Sequence, residues 1–213
     1  MLQHHLRAVL GFPTWPLALA AIIAEVAWYA AVRRPYPWRD LAVSVAMHLV
    51  RLPVALVSAA VVVPISALVW SARPWTVPLD AWWGLALLFV GEEFRYYWAH
   101  RLGHRVRWIW ASHAVRHSPA HIHLASAYRL GVTEVLSGEW VFYLPLCLLG
   151  FHPVAVMTTL AANLFYQFWL HNDIVGRLGP IKWVLNTPSH HRVHRIHPAK
   201  AAGGCAQAAA AVS

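Results

Sequence analysis

The stretch EEFRYYWAHRLGH, from Glu92 to His104, decides how the rest of the chain is read. It closes an apolar run that begins near Leu79 and ends with His100 and His104 four residues apart. If the helix of that run continues, both imidazoles fall on one face. Two imidazoles at i and i+4 can turn toward one ion, so the spacing is that of a chelating pair. It recurs at His113 and His117 in HAVRH, at Gln167 and His171 in QFWLH, and at His190 and His194 in HHRVH. His191 and His194 add a three-residue spacing that also fits one face. One such pair is a weak signal, so the question is whether the pairs meet.

Composition supplies the setting. Of 213 residues, 59% are hydrophobic and only 12% charged, which is too apolar for an ordinary soluble domain. The 13 tryptophans and 7 tyrosines suit side chains parked at membrane–water interfaces. The net charge of +9 does not imply nucleic acid, because the basic residues flank apolar runs. Cys147 and Cys205 form no disulfide framework and no zinc-knuckle spacing. The first apolar run, Trp15 to Val32, is too long and too bulky for a cleaved signal and is read as a retained helix.

Four further apolar runs follow. Run two covers Leu41 to Trp70, with Arg51 and Pro53 predicting a kink or a late start. Run three covers Leu79 to Trp98, run four Val135 to Leu149 and run five Pro153 to Leu170. The link GFHP makes runs four and five a tight helical hairpin, which need not reach the far side of a bilayer. Placing Arg33, Arg34 and Arg39 in the cytoplasm puts nearly all positive charge on one side. The same topology gathers His100–His123 and His171–His197 at the cytoplasmic face. The expected fold is therefore an all-α integral membrane protein. It has four or five transmembrane helices and a helical histidine-box cap on the cytoplasmic face. Residues 1–80 hold the N-terminal membrane helices, 81–197 the histidine-bearing domain, and 198–213 a low-complexity tail.

Under that topology His100, His104, His113, His117, His171, His191 and His194 are the candidate catalytic and metal-binding residues, with His190 a further metal candidate. His4, His5, His48, His152 and His197 read as interfacial polar residues. A site rich in imidazole and poor in thiolate and carboxylate suits zinc, copper, iron or nickel. A bis-histidine haem would need histidines facing across a bundle interior, and transport histidines sit at mid-membrane. Both fit the pattern less well than a metal centre at the helix ends.

These segments resemble the fatty acid hydroxylase/sterol desaturase superfamily of membrane di-iron enzymes. The resemblance runs from Trp82 to His194. It is carried by FRYYWAHRLGH (Phe94 to His104), WASHAVRHS (Trp110 to Ser118), Arg129, NLFYQFWLHND (Asn163 to Asp173) and LGPIKWVLNTPSHHRVH (Leu178 to His194). It implies two irons and O2, used to hydroxylate or desaturate a fatty acyl chain, sterol or related lipid. It also implies a ferredoxin or cytochrome b5 type electron donor. The membrane is a bacterial inner membrane or the endoplasmic reticulum, depending on the source. Against the family's His-x-x-His-His boxes, Arg116 and Arg195 stand where histidines are expected. A guanidinium has no lone pair for a metal. The alternative is a catalytically impaired or truncated relative that binds lipid. The final stretch RIHPAKAAGGCAQAAAAVS also departs from the family, and a truncation or frame change is expected there. Three replacements for the lost ligands are open: His190; His121 and His123, if the second-box helix continues; or the survival of one iron site. Gln167 is a candidate to ligate or to hydrogen-bond a ligand. Glu92, Glu93, Glu134 and Asp173 are placed either to hold ligand histidines or to pair with neighbouring arginines.

Overall fold

The computed structural model describes residues 14–195, and among these no strand occurs. His4, His5, His197 and the 198–213 tail lie outside the described residues. Three long helices come first: α1 (Thr14–Ala31), α2 (Trp38–Ser71) and α3 (Trp82–Arg105). α1 ends where Arg33 takes a left-handed φ of 54°, just before Pro35. α2 starts ahead of the predicted point and runs unbroken for 34 residues, with Pro53 and Pro64 inside it. Proline removes a ladder bond, but in apolar surroundings the rest of the backbone has no better partner than its own helix. α2 is long and apolar enough to cross a membrane, and only 6% of its most apolar window is buried. Leu56 and Leu68 on α2, and Trp82 and Phe89 on α3, are at least 60% exposed. An apolar face that large needs an apolar environment.

The cap begins at one extended residue, Val106, where the chain leaves α3 and enters α4 (Arg107–His113). This turn folds α4 back against the end of α3. Gly103 permits the close approach, since a Cβ there would lie 3.3 Å from His113 Cγ. A 3-10 turn, Ala114–His117, finishes this segment, and a second follows at Leu124–Tyr128. The helix therefore does not continue past His117 to carry His121 and His123.

Run four is not one helix. It divides into α5 (Glu134–Ser137), a 3-10 turn (Glu139–Tyr143) and α6 (Leu144–Leu148). Gly138, at φ 79°, takes the left-handed conformation that ends α5. α7 (Pro153–Leu170) is the predicted fifth run. The α6–α7 link sits against the α2–α3 loop, with Val77 N–H donating to Gly150 O at 3.1 Å and Trp75 Nε1 to Leu149 O at 2.9 Å. The hairpin thus reaches the same end of the bundle as that loop. Leu88, Tyr143, Leu146, Cys147, Phe151 and Val156 pack between α3, α6 and α7 as the core.

The opposite end is tied by polar contacts. Asp173 accepts from Tyr29 Oη at 2.6 Å and from Arg34 at 3.1 Å. Glu25, buried inside α1, accepts the Leu124 backbone N–H at 3.1 Å. Arg129 donates to Asp40 Oδ1 at 2.8 Å and to Ser44 Oγ at 3.0 Å on α2. The C-terminal ends of α1, α3 and α7 and the start of α2 therefore share one end, which is where the histidines gather. A last 3-10 turn (Gly179–Trp183) precedes α8 (Pro188–Arg195).

Candidate metal centre

His100 and His104 come from the last turn and a half of α3, His113 from the end of α4, His117 from the 3-10 turn after it, and His194 from α8. Folding at Val106 brings the first four together, and α8 lays His194 across them. His194 Nε2 lies 2.9 Å from His100 Nε2 and 3.1 Å from His104 Nε2. His117 Nε2 lies 3.2 Å from His113 Nε2. His100, His104 and His194 form one trio whose nitrogens are within 4.8 Å of one another, and His104, His113 and His117 form a second. His104 belongs to both.

A second group is smaller. His171, just past α7, places Nε2 at 3.1 Å from His191 Nε2. His171 is buried, and its Nδ1 is held by the Gln167 carbonyl at 2.8 Å, one turn back. That bond fixes the ring and turns Nε2 toward His191. His190 is exposed and lines the adjoining cavity. His121 is turned away to Asp40 at 3.0 Å. His123 is fully buried against Tyr36.

Burial decides the protonation state. It holds His113 down at about 2, helped by the charges of His100 and Arg116. It holds His117 and His171 at about 3. His191 is pushed below the usual histidine range by burial and then by His171. Neutral imidazoles whose Nε2 lone pairs converge are the donor set a metal needs. Two such nitrogens 3 Å apart can share one hydrogen, but His194 Nε2 faces His100 and His104 at once and has a single lone pair or hydrogen to offer them, an arrangement that suits a shared cation. The residues of the first group fit one imidazole-preferring metal.

At the second group the fit is poorer. Arg116 Nη1 donates to Gln167 Oε1 at 2.8 Å, beside His171. Gln167 Oε1 also accepts from Tyr96 Oη at 3.0 Å, so this amide orders its neighbours and presents no free oxygen. Arg195 turns inward and donates to Pro119 O at 3.2 Å, with Nε and Nη1 buried and lacking an acceptor among the described residues. Burial, then the charges of Arg129 and Arg116, pushes Arg195 down to about 10. Among the described residues, His171 and His191 thus have two guanidiniums nearby and no further imidazole of their own.

The four candidate carboxylates take other partners. Glu92 pairs with Arg95, Glu134 with Arg51, Glu93 with Asn163, and Asp173 with Tyr29 and Arg34. Arg192, unremarked in the sequence, clamps α8 through the carbonyls of Asn172 at 2.9 Å and Val175 at 3.0 Å. Its only signal was a cation within a histidine box.

A cavity of about 710 Å³ opens beside both groups. Arg116, His191 and His194 line its polar end, and Phe89, Leu170 and Leu185 its apolar walls.

Two imidazole groups at one end of an apolar helical bundle, beside a mixed cavity, define a candidate histidine-cluster metal centre of membrane type. The fatty acid hydroxylase family model matches residues 85–206, and the chain belongs to that family. The match runs past His194, where the resemblance read from the sequence stops. Alkylglycerol monooxygenase of Danio rerio is 45% identical over 118 residues, covering 55% of this chain and 26% of that protein. The human alkylglycerol monooxygenase is 43% identical over 123 residues, covering 57% of this chain and 27% of that protein. The ornithine lipid hydroxylase of Rhizobium tropici is 32% identical over 111 residues, covering 52% of this chain and 33% of that protein. The chain thus aligns with about a quarter to a third of the length of these relatives. No solved structure matches it.

Proposed function

We propose that this chain is the histidine-box part of a membrane oxidoreductase that hydroxylates or desaturates a lipid with O2 and electrons from an external ferredoxin or cytochrome b5 type carrier. The observation that carries it is the convergence of His100, His104, His113, His117 and His194 through their Nε2 atoms. These residues would hold an iron ion, and His171 and His191 would contribute to a second. When bound, iron supplies the oxidising chemistry toward an unactivated C–H bond. The chain's own residues do the positioning. Gly103 lets His113 reach the α3 pair, the Gln167 carbonyl orients His171, and Arg192 holds α8 in place. The apolar walls of the cavity suit an acyl or alkyl chain lying toward the imidazoles.

The bilayer arrangement goes with this reading. α1, α2, α3 and the α6–α7 hairpin make four or five membrane passages, with the histidine end cytoplasmic. The membrane is the inner membrane of a bacterium or the endoplasmic reticulum of a eukaryote. The lipid hydroxylase relatives support a lipid substrate.

A second reading has one specific observation in its favour. Arg116 is bonded to Gln167 beside His171, where a ligand is expected, so the scaffold would bind lipid without oxidising it. Metal content decides between the two. Iron and zinc are counted per chain in detergent-purified protein, beside an Arg116→His, Arg195→His variant. About two metals in the parent support the oxygenase. Little in the parent and about two in the variant mean that the arginines silence an intact scaffold. Little in either overturns the metal centre.

A further inference from the structure

The chain from Leu178 to Asn186 contains the most exposed large apolar side chains on the histidine end. Trp183 is 81% exposed, Val184 86%, and Ile181 and Leu185 about half. The 3-10 turn Gly179–Trp183 packs extensively against none of the described helices. A short loop with four such side chains in water would be a liability unless something covers them.

Three observations identify the cover. The loop is basic as well as apolar: Arg177 and Lys182 are exposed, and Lys182 Nζ sits 5.3 Å from the centre of the Trp183 ring. A tryptophan beside lysine and arginine, with aliphatic neighbours, is the composition of a segment lying at a membrane interface. The loop also folds back along α7. Tyr166 Oη donates to the Asn186 carbonyl at 2.6 Å, and Tyr166 lies one helical turn before the end of α7 at Leu170. The segment therefore returns toward the apolar part of the bundle rather than away from it. Finally, Val184 and Leu185 share the wall of the 710 Å³ cavity with Phe89, which is 60% exposed on the apolar face of α3.

We propose that residues 178–186 form a membrane-docking loop that inserts Ile181, Trp183 and Val184 into the headgroup layer of an anionic bilayer, beside the cavity. Arg177 and Lys182 meet the lipid phosphates, and the apolar side chains reach below them. Leu185 and Phe89 then make a continuous apolar path from the bilayer to the cavity wall. This rests on the membrane reading above, and the test separates the two.

A spin label is attached at Trp183→Cys, and separately at Leu56→Cys on α2, in full-length chain with Cys147 and Cys205 replaced by serine. Each is reconstituted in nanodiscs of phosphatidylcholine with and without phosphatidylglycerol. Relaxation by dissolved O2 against a water-soluble nickel complex reports the depth. The expected result is Leu56 in the hydrocarbon core and Trp183 at the headgroup boundary, deeper when phosphatidylglycerol is present. In the Arg177→Glu, Lys182→Glu background the Trp183 label moves out toward water. A Trp183 label in water while the Leu56 label is deep overturns the docking loop and leaves the membrane reading standing. Both labels in water overturn both. Equal depth in the two lipid mixtures overturns the role given to Arg177 and Lys182. Trp183 is so exposed that its replacement removes little packing, and a Cys at Val184 serves as a second probe.

Discussion

His104 is the residue on which the two imidazole trios turn, since its ring nitrogen belongs to both. His104→Ala should lower the affinity for Co(II) or Zn(II) at least tenfold, whereas His190→Ala, exposed and outside both trios, should leave it within about twofold. Equilibrium dialysis of the two variants against the parent reads this directly, and equal losses would remove His104 from its central place. Electrostatics sets the contrast between the two groups. Two unit charges about 4 Å apart repel by roughly 4 kcal/mol at an effective dielectric near 20, and a divalent ion doubles that. Arg116 and Arg195 therefore oppose a metal at His171 and His191 by charge as well as by the missing lone pairs. His123 shows a different use of burial. Desolvation holds it at about 4, against an ordinary 6.5. The unfolded chain takes up this proton first, so the stability His123 contributes is present above the ordinary value and is lost as pH falls from 6.5 through 4. His123→Phe should flatten that part of the acid limb in thermal unfolding, and an unchanged limb would count against it.

Among the elements, the short ones position the centre. α4 is seated between two glycines, with Gly103 of α3 against His113 and Gly131, after the Leu124–Tyr128 turn, against Ser112. A Cβ on Gly131 would clash with Ser112 Oγ and lie 2.7 Å from its carbonyl oxygen, whereas one on Gly176 meets nothing within 4 Å. Gly131→Ala should therefore destabilise by about 1–3 kcal/mol, and Gly176→Ala should not. Thermal unfolding in detergent checks the pair, and equal midpoints would show that α4 does not press on Gly131 as described. This level was the least legible in the sequence. The long helices announce themselves by apolar length, and His100/His104 and His113/His117 by spacing. Nothing in the apolarity of Val135–Leu149 reveals that Gly138 takes a left-handed φ and divides the run. The spacing of Gln167 and His171 suggested a pair of like function. The structure gives them unlike ones, because the amide is saturated by Arg116 and Tyr96 and the imidazole is held by a backbone carbonyl. Arg129 carries part of the resemblance, yet its role as the clamp between α2 and the Leu124–Tyr128 turn depends on a contact 89 residues away in sequence.

Across the whole molecule, one arrangement makes the centre possible: the ends of α1, α3 and α7 and the start of α2 meet at one pole, and the α2–α3 and α6–α7 links meet at the other. The Arg34–Asp173 pair places the arginine-rich α1–α2 turn at the histidine pole, so the two basic stretches share one end of the bundle. Length supports a crossing between the poles. At about 1.5 Å per residue a 34-residue helix extends about 50 Å, more than the roughly 30 Å of a hydrocarbon core, so α2 is long enough to reach beyond both sides. Cysteines at Ala111, exposed on α4, and at Arg73, in the α2–α3 loop, should then react with a membrane-impermeant thiol reagent from opposite sides. In sealed inner-membrane vesicles or microsomes the Ala111→Cys label should appear from the cytoplasmic side. The Arg73→Cys label should appear only once the membrane is opened. Both sites reacting from one side would mean that α2 does not cross, and the exposed apolar faces of α2 and α3 would then have to be covered by protein. The reverse assignment would keep the crossing and move the histidine pole away from cytoplasmic electron carriers, so the same labels also decide whether such carriers can reach the centre.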